Sequence, residues 1–264
     1  MKLEQHVVSS GEYSRTIWYR AGPQDTPHSL CVFLDGEHYT RDLDAPPVLE
    51  ALLGERGMPA LSLLFVSNVS SDPSQADYAC RQVDFACNER YARYIATDVA
   101  QWARARNKGI RATGHLICGL SLSGLQAAYV TCRHPQTFSL CLSQSGSFWW
   151  LDGKEDHFSP TTARFWLSVG DQETAKNVSH PPELFQEISQ IAGAERAAAN
   201  IRQLGGTVRY HMFSGGHGAA PWRQELAPAL RWLLTGLESP TEVGARAAGL
   251  PTTEARSGSS GPSL

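Results

Sequence analysis

The sequence contains no apolar run long enough to cross a membrane, since a transmembrane helix needs about 20 consecutive, predominantly apolar residues. It has no long block of like charges, and its formal net charge of −3 favours neither nucleic acid nor an anionic membrane as a partner. Residues 1–6 are polar and lack the apolar core of a secretory signal. These absences favour a soluble, cytoplasmic protein that acts on a small molecule.

Metal-binding cysteine patterns are also missing. The six cysteines are scattered, none has CxxC spacing, and Cys80 and Cys87 have no histidines nearby at zinc-finger intervals. We therefore expect free, mostly buried thiols in a reducing compartment. Neither a metal ion nor an organic cofactor is expected.

What the sequence does contain is the pattern of an α/β protein. The 264 residues are 42% hydrophobic and 19% charged, which is typical of one globular α/β domain, two small domains being the less favoured alternative. Short apolar runs alternate with helical patterns, which predicts a mostly parallel central sheet with helices on both faces. This domain is expected to span residues 1–238. Residues 239–264 have no apolar period and are rich in small and turn-forming residues, so they are expected to form a flexible tail.

The same patterns predict the individual elements. Strands are expected at residues 15–19, 30–34, 61–67, 115–118, 139–143, 165–169 and 208–213. Helices are expected at residues 47–53, 88–104, about 122–134, 195–204 and 222–234. A polar loop is predicted over residues 68–77, and Asn88 is the expected N-cap of the long helix that follows it.

Residues 118–124, Cys-Gly-Leu-Ser-Leu-Ser-Gly, lie between an apolar strand and a helix. This context is typical of a nucleophile elbow, a tight turn that strains the backbone of its serine and needs small residues two positions before and after it. Gly119 and Ser123 meet the size requirement. An ordinary Ser- and Gly-containing turn is the alternative, but the flanking strand and helix favour Ser121 as a nucleophile.

A serine hydroxyl needs a base to take its proton, and His217 stands where such a base is expected. It lies in a glycine-rich loop between the last predicted strand and the last helix. The acid that orients the imidazole should follow the strand between Ser121 and His217, and both Asp171 and Glu173 do so. The residue pattern alone leaves these two carboxylates open.

The negative charge of a tetrahedral transition state needs two backbone N–H donors. The N–H of Leu122, at the start of the helix after the elbow, is one candidate because the helix dipole also favours an anion there. The loop after the strand at residues 30–34 is expected to supply the other, and within Asp35-Gly36-Glu37 we choose the N–H of Glu37.

Several longer runs, taken together, resemble the enterochelin esterase-like branch of the putative esterase family of α/β hydrolases. These runs are residues 34–36, 81–85 with 87–89, the elbow, the Ser-Gln-Ser-Gly-Ser-Phe-Trp-Trp run at 143–150, residues 170–173, and 215–217 with 222–223. The resemblance implies an α/β-hydrolase fold with Ser121 as nucleophile and His217 as base. The family's G-x-x-E pattern favours Glu173 over Asp171. Ser123, where the family has glycine, and Gly218, where Asp often follows the histidine, depart from the pattern.

The resemblance also implies a substrate class, since family members hydrolyse ester or lactone bonds, including the trilactone backbone of catecholate siderophores. Trp149 and Trp150 are candidates for the wall of a pocket for an aromatic acyl group, although tryptophan is more often a core residue. Arg81 is a candidate partner for an anionic substrate, or else it braces a loop by pairing with Asp84. Two alternatives to ester hydrolysis are acyl transfer to another acceptor from the same site and a hydrolase fold kept for binding alone.

Overall fold

A computed structural model describes residues 1–72, 79–151, 157–180 and 184–236 of the chain. Within these residues the strands are β1 (Glu4–Ser10), β2 (Tyr13–Arg20), β3 (Ser29–Phe33), β4 (Leu61–Ser70), β5 (His115–Leu120), β6 (Phe138–Gln144), β7 (Arg164–Gly170), β8 (Val178–His180), β9 (Leu184–Gln186) and β10 (Thr207–Phe213). The α-helices are α1 (Ala45–Leu53), α2 (Ala79–Phe85), α3 (Glu89–Arg93), α4 (Ala100–Arg106), α5 (Leu122–Arg133), α6 (Gln190–Gln203) and α7 (Ala219–Thr235). Shorter helical segments are the π-helical turns His38–Asp42 and Tyr94–Val99 and the 3₁₀ turn Phe148–Leu151.

Eight of the strands form one sheet in the order β1-β2-β4-β3-β5-β6-β7-β10. Strand β2 is antiparallel to both β1 and β4, and every other neighbouring pair in this sheet is parallel. Strands β8 and β9 form a separate antiparallel hairpin. Because β5, β6, β7 and β10 are parallel neighbours, the loops that follow them all begin at the same edge of the sheet.

The burial of each strand follows its sequence. Residues of β3 and β5 are buried on both faces, as expected for near-continuous apolar runs in a parallel sheet. Strand β2, near the edge, alternates between buried and partly exposed side chains. The predicted fold class, a mostly parallel sheet covered by helices, is therefore confirmed.

Two apolar clusters cover the two faces of the sheet. One contains residues of α3 to α6, and the other contains residues of α1 and α7. Successive residues of a strand belong to opposite clusters; Phe165 and Leu167 pack on the α6 side, whereas Trp166 packs on the α7 side. Helix α7 therefore lies directly beneath the strands that lead into the candidate active site.

Several elements differ from the sequence predictions. Strand β1 was not predicted because Val8 is its one buried side chain and its main partner is the backbone of β2. The short elements α2, β8 and β9 were also missed. The long helix predicted at 88–104 runs to Arg106 with a π-helical segment in its middle, which apolar periodicity does not reveal. The predicted N-cap is confirmed, since the side chain of Asn88 accepts hydrogen bonds from the N–H groups of Arg90 and Tyr91.

The loop predicted at 68–77 begins later than expected, because β4 extends to Ser70. Residues 73–78 and the predicted tail, residues 239–264, lie outside the described residues. None of the six cysteines, all of which lie within the described residues, forms a disulfide, and all but Cys80 are buried. No helix among the described residues combines the length and apolarity needed to cross a bilayer.

Candidate active site

Ser121 lies at a sharp turn between β5 and α5. Its backbone angles, φ 53° and ψ −127°, fall in a region that non-glycine residues rarely adopt. The N–H of Ser121 donates to the carbonyl of Gln144 at 2.9 Å, and its own carbonyl accepts from the N–H of Gly124 at 3.0 Å. Ser121 is partly exposed while its neighbours on both sides are buried. The turn thus presents the hydroxyl at the edge of the sheet where β5 ends.

The elbow brings the strand and the helix into close approach at Gly119. A Cβ atom on Gly119 would overlap the carbonyl oxygen of Ser123 and lie 2.7 Å from the N–H nitrogen of Gly124. Ser123 fits in place of a glycine because its own hydroxyl is satisfied locally. Its Oγ accepts from the N–H of Leu120 at 2.9 Å and donates to the carbonyl of the same residue at 2.8 Å.

Substituting Gly119 should therefore destabilise the whole domain. We expect Gly119→Ala to lower the free energy of unfolding by roughly 3 kcal/mol or more, because backbone atoms rather than a movable side chain block the new methyl group. Urea denaturation followed by circular dichroism measures this. Gly54→Ala is the matched control, since its Cβ would meet nothing closer than 3.4 Å, and it should change stability by less than about 1 kcal/mol. Equal effects of the two substitutions would contradict this account of the elbow.

Glu173 and His217 form a hydrogen-bonded pair. The Nδ1 of His217 lies 2.6 Å from Oε2 of Glu173, whose side chain is only 3% exposed whereas that of His217 is 43% exposed. A carboxylate can only accept, so Nδ1 carries the proton and Nε2 remains the basic nitrogen. The other oxygen, Oε1, accepts from the N–H of Gly170 at 2.7 Å. This is the arrangement that a general base and its orienting acid require.

Asp171, the other carboxylate left open by the sequence, makes a different contact. Its Oδ1 accepts a hydrogen bond from the N–H of Gly215 at 2.9 Å, and its own N–H donates to the carbonyl of Phe213. Asp171 is exposed. Asp171 thus fixes the start of the loop that carries His217 by hydrogen bonding, whereas Glu173 contacts the imidazole itself.

Ser121 and His217 are not hydrogen-bonded to each other in this structure, although the strands they follow, β5 and β10, end at the same edge of the sheet with β6 and β7 between them. Such contacts often tighten only when substrate binds. The segment that follows β6 is nevertheless hydrogen-bonded both to the elbow and to Glu173. The N–H of Ser147 donates to the carbonyl of Ser121 at 3.0 Å, and the hydroxyl of Ser145 donates to Glu173 at 2.5 Å.

The two predicted oxyanion donors lie at the starts of helical segments. Leu122 is the first residue of α5, so its N–H has no partner within that helix. Glu37 precedes the π-helical turn, and its carboxylate accepts from the hydroxyl of Ser67 at 2.5 Å and from the N–H of Asn68 at 3.0 Å. These bonds fix the loop after β3 against the end of β4.

Arg81 is occupied by an ion pair that differs from the one considered from the sequence. Its Nε and Nη2 donate to the two oxygens of Asp35 at 2.9 and 2.7 Å, and both side chains are largely buried. Asp84 pairs instead with Arg15, so the expected pairing of Arg81 with Asp84 is wrong. Asp35 has φ 57° and directly precedes Gly36 and Glu37. By binding the side chain of Asp35, Arg81 therefore stabilises the loop that carries the Glu37 N–H.

The two candidate pocket tryptophans belong to the 3₁₀ turn after β6. Trp149 is only 6% exposed, and its ring stacks on that of His180 with centroids 5.1 Å apart. Trp150 is half-buried, and its ring lies 5.5 Å from that of His157. The face of Trp149 covered by His180 is therefore closed to a ligand.

Sequence reasoning assigned no role to three buried residues next to the candidate site: Ser145, Trp222 and Glu225. Ser145 and Trp222 occur in runs that carried the family resemblance, and that was the only available signal. Glu225 lies on α7, and its Oε1 accepts from the hydroxyl of Ser168 at 2.6 Å and from the side-chain amide of Gln144 at 2.8 Å. Its position beneath the sheet depends on contacts between distant parts of the chain.

Burial raises the pKa of the Glu225 carboxyl to about 7, although hydrogen bonds from Ser168, Gln144 and Trp166 oppose the shift. The negative charge of Glu173 nearby raises it further. Glu225 is therefore protonated in the folded state at pH values where the unfolded chain, with its ordinary pKa of 4.5, has lost the proton. Stability from this proton is fully present below about pH 4.5 and is lost as the pH rises through about 7.

The pH dependence of stability should reveal this group. Between pH 4.5 and 8 we expect the free energy of unfolding of the wild type to fall by about 3 kcal/mol relative to that of Glu225→Gln, which has no such proton. Urea titrations of both proteins across the range measure the difference. His115, whose pKa burial lowers to about 4, acts in the opposite direction but is present in both proteins and cancels. Parallel pH curves would contradict the assignment.

No three His, Cys, Asp or Glu side chains are grouped closely enough to hold a metal ion within residues 1–72, 79–151, 157–180 and 184–236. The chemistry available at this edge of the sheet is that of a partly exposed serine, a histidine–carboxylate pair and backbone N–H donors. This combination is suited to acyl transfer through a covalent intermediate.

Comparison with known proteins agrees with this chemistry. The chain is 29% identical over 234 residues to the iron(III) enterobactin esterase of Dickeya dadantii, an alignment that covers 84% of this chain and 52% of the relative. It is 27% identical to the Escherichia coli K12 enzyme of the same name, covering 82% and 53%. The chain thus spans about half the length of these curated relatives.

The solved structure of the enterobactin esterase of Shigella flexneri, determined in the presence of enterobactin, matches this fold with a TM-score of 0.72. The match covers 88% of this chain and 58% of that one, at 22% sequence identity, and supports the fold alone. The model of the family described as "Putative esterase" matches residues 18–233. The chain therefore belongs to the Putative esterase family and has the α/β-hydrolase fold.

Proposed function

We propose that this chain is a serine hydrolase that cleaves carboxylic esters through an acyl-enzyme. In this proposal Ser121 is the nucleophile, His217 the general base and Glu173 the acid that orients it. The observation that carries the proposal is the strained, partly exposed Ser121 at the sheet edge that also holds the buried Glu173 hydrogen-bonded to His217 at 2.6 Å. An ordinary structural turn requires neither a strained, partly exposed serine nor a histidine–carboxylate pair at the same sheet edge.

Acylation begins when Nε2 of His217 takes the proton of the Ser121 hydroxyl as its oxygen attacks the ester carbonyl carbon. The tetrahedral oxyanion is stabilised by the N–H groups of Leu122 and Glu37. The carbon–oxygen bond to the alcohol then breaks, and the imidazolium returns the proton to the departing oxygen. The acyl group is left on Ser121.

Deacylation repeats these steps with water. His217 removes a proton from the water molecule as its oxygen attacks the acyl carbon, and the same two N–H groups hold the second oxyanion. The bond to Ser121 breaks and the serine oxygen regains its proton from the imidazolium. Throughout, the carboxylate of Glu173 compensates the positive charge that forms on the ring.

For the substrate we propose a small-molecule ester, with the lactone backbone of a catecholate siderophore as the leading class. The curated relatives are named iron(III) enterobactin esterases, which supports this class. Trp149 and Trp150 are proposed to border the acyl site by the edges that their histidine contacts leave open. We assign Arg81 to loop stabilisation rather than to substrate binding, since Asp35 occupies its guanidinium.

An activity screen tests this function directly. Purified protein is incubated with p-nitrophenyl esters of short-chain and aryl acids and with a catecholate trilactone, and products are quantified by absorbance and chromatography. We expect hydrolysis of the activated aryl esters and opening of the trilactone. Product analysis with added alcohols separates hydrolysis from acyl transfer. Absence of turnover with every ester would contradict the proposed function.

A further inference from the structure

Beyond the triad, one buried hydroxyl and one indole N–H converge on the carboxylate of Glu173. The Oγ of Ser145 donates to Oε1 of Glu173 at 2.5 Å and accepts from Nε1 of Trp222 at 2.9 Å. Ser145 and Trp222 are 77 positions apart in the chain, so the fold assembles this contact. We propose that Ser145 and Trp222 are positioning residues that set the orientation of the Glu173 carboxylate, and through it the tautomer of His217. This inference rests on the proposed function.

The direction of each hydrogen bond in this chain is fixed by chemistry. An indole N–H can only donate, and a carboxylate can only accept. The single proton of the Ser145 hydroxyl must therefore point at Glu173, because the other side of its oxygen receives the proton of Trp222. Each bond polarises the next, so the donor from Trp222 strengthens the bond to the carboxylate.

The backbone holds Ser145 in a conformation that serves this contact. Ser145 has φ 46°, which is uncommon for a residue with a side chain, and it is completely buried. Its N–H donates to the carbonyl of Ser168 at 2.9 Å, and its carbonyl accepts from the side-chain amide of Gln190. Strain of this kind is retained where the surrounding structure requires it.

Trp222 contacts His217 directly and reaches Glu173 through the hydroxyl of Ser145. Besides donating to Ser145, its ring meets the His217 ring edge-on, with centroids 4.8 Å apart and planes at 84°. Trp222 lies in the first turn of α7 and is 7% exposed. A single side chain therefore supports the imidazole by packing and the carboxylate through the hydroxyl of Ser145.

The consequence for Glu173 is that Oε1 is held by the hydroxyl of Ser145 and the N–H of Gly170, leaving Oε2 to face His217. Loss of the Ser145 hydroxyl leaves the carboxylate with one fewer donor and more freedom to rotate. The proton of neutral His217 then loses its preference for Nδ1, and the fraction of rings with Nε2 available as the base decreases.

Two substitutions test this inference. Ser145→Ala removes the donor itself and is expected to lower kcat by about 10- to 100-fold, whereas Trp222→Phe keeps a ring but removes the N–H and is expected to lower it by about 5- to 10-fold. KM should change little in either variant, because the lost interaction acts on charge that develops during proton transfer.

The deciding readout does not depend on esterase activity. Nitrogen-15 correlation spectra of histidine-labelled protein report which ring nitrogen carries the proton, with the His217 signals assigned by comparison with His217→Gln. We expect the Nδ1–H form in the wild type and an increased share of the Nε2–H form in Ser145→Ala and Trp222→Phe. Ser145→Ala, which removes one atom, decides the question if the tryptophan variant does not fold.

Matched controls separate positioning from general effects on the core. Ser143→Ala removes an equally buried hydroxyl on β6 that has no hydrogen-bond partner among the described residues. Trp232→Phe changes a half-buried tryptophan on α7 whose ring packs on Trp166, away from His217. Both controls should leave kcat and the tautomer unchanged. An unchanged His217 tautomer in Ser145→Ala would overturn the inference, whatever the activity.

Discussion

Ser121→Ala is expected to abolish ester hydrolysis while leaving the protein folded. Without the hydroxyl no acyl-enzyme forms, and kcat should fall by roughly 10⁴-fold or more. Alanine keeps the Cβ, so the backbone strain at φ 53° is unchanged, and the described residues show no hydrogen bond from the Ser121 hydroxyl that would be lost. Turnover of a p-nitrophenyl ester measures the activity, and circular dichroism checks the fold.

Ser143→Ala serves as the control for this variant as well. It makes the same chemical change at a buried site on the neighbouring strand, and its hydroxyl has no partner within the described part of the chain. We expect its activity to match the wild type. If Ser121→Ala retained comparable turnover, another group would have to be the nucleophile and the elbow would be only a structural turn.

A matched pair of substitutions, Glu173→Gln and Asp171→Asn, should show which carboxylate orients the imidazole of His217. Each replaces a carboxylate by its amide at nearly constant shape. Glu173→Gln removes the charge that faces the imidazolium and presents an amide that can donate toward the ring, so kcat should fall by about 10³- to 10⁴-fold. Asp171→Asn weakens one hydrogen bond to the N–H of Gly215 and should cost less than about tenfold.

The two amide variants are compared by kcat for the same aryl ester, with the free energy of unfolding measured alongside. A larger loss in Asp171→Asn than in Glu173→Gln would show that the contact with His217 seen here is not the functional one. A large, equal loss in both would indicate that each carboxylate stabilises the His217 loop without acting on the imidazole.

The sequence could predict the framework of the fold because local patterns carry it. Apolar runs, the elbow and the glycine-rich loop are enough to predict that β5, α5 and His217 meet at one sheet edge. The π-helical segment at Tyr94–Val99 was not predictable, because one extra residue in a turn barely alters apolar spacing. Strand β1 was also missed, since backbone pairing with β2 rather than an apolar face holds it.

The choice between Asp171 and Glu173 shows where sequence reasoning ends. Both carboxylates follow the same strand within three residues, and nothing in the residue pattern distinguishes them. The structure separates them because the backbone N–H of Gly215 binds Asp171 and that of Gly170 turns Glu173 inward. Only the family resemblance had favoured Glu173 beforehand.

Ser145, Trp222 and the pairing of Arg81 with Asp35 could not be predicted for a related reason. The contacts join residues 28, 77 and 46 positions apart, so they depend on the order of strands in the folded sheet. Both Ser145 and Asp35 also have positive φ values, which no sequence rule assigns to residues of these types with any reliability. Identifying the buried residues that hydrogen-bond to a predicted site therefore requires the three-dimensional structure.

We propose that the fold makes one serine hydroxyl, that of Ser121, a nucleophile activated by His217. Covalent labelling with a fluorophosphonate, followed by intact-mass measurement and peptide mapping, tests it most directly. We expect a single adduct on Ser121 in the folded wild type and none in His217→Gln under the same conditions. An adduct on another serine, or no adduct on the folded wild type, would rule out Ser121 as the activated nucleophile.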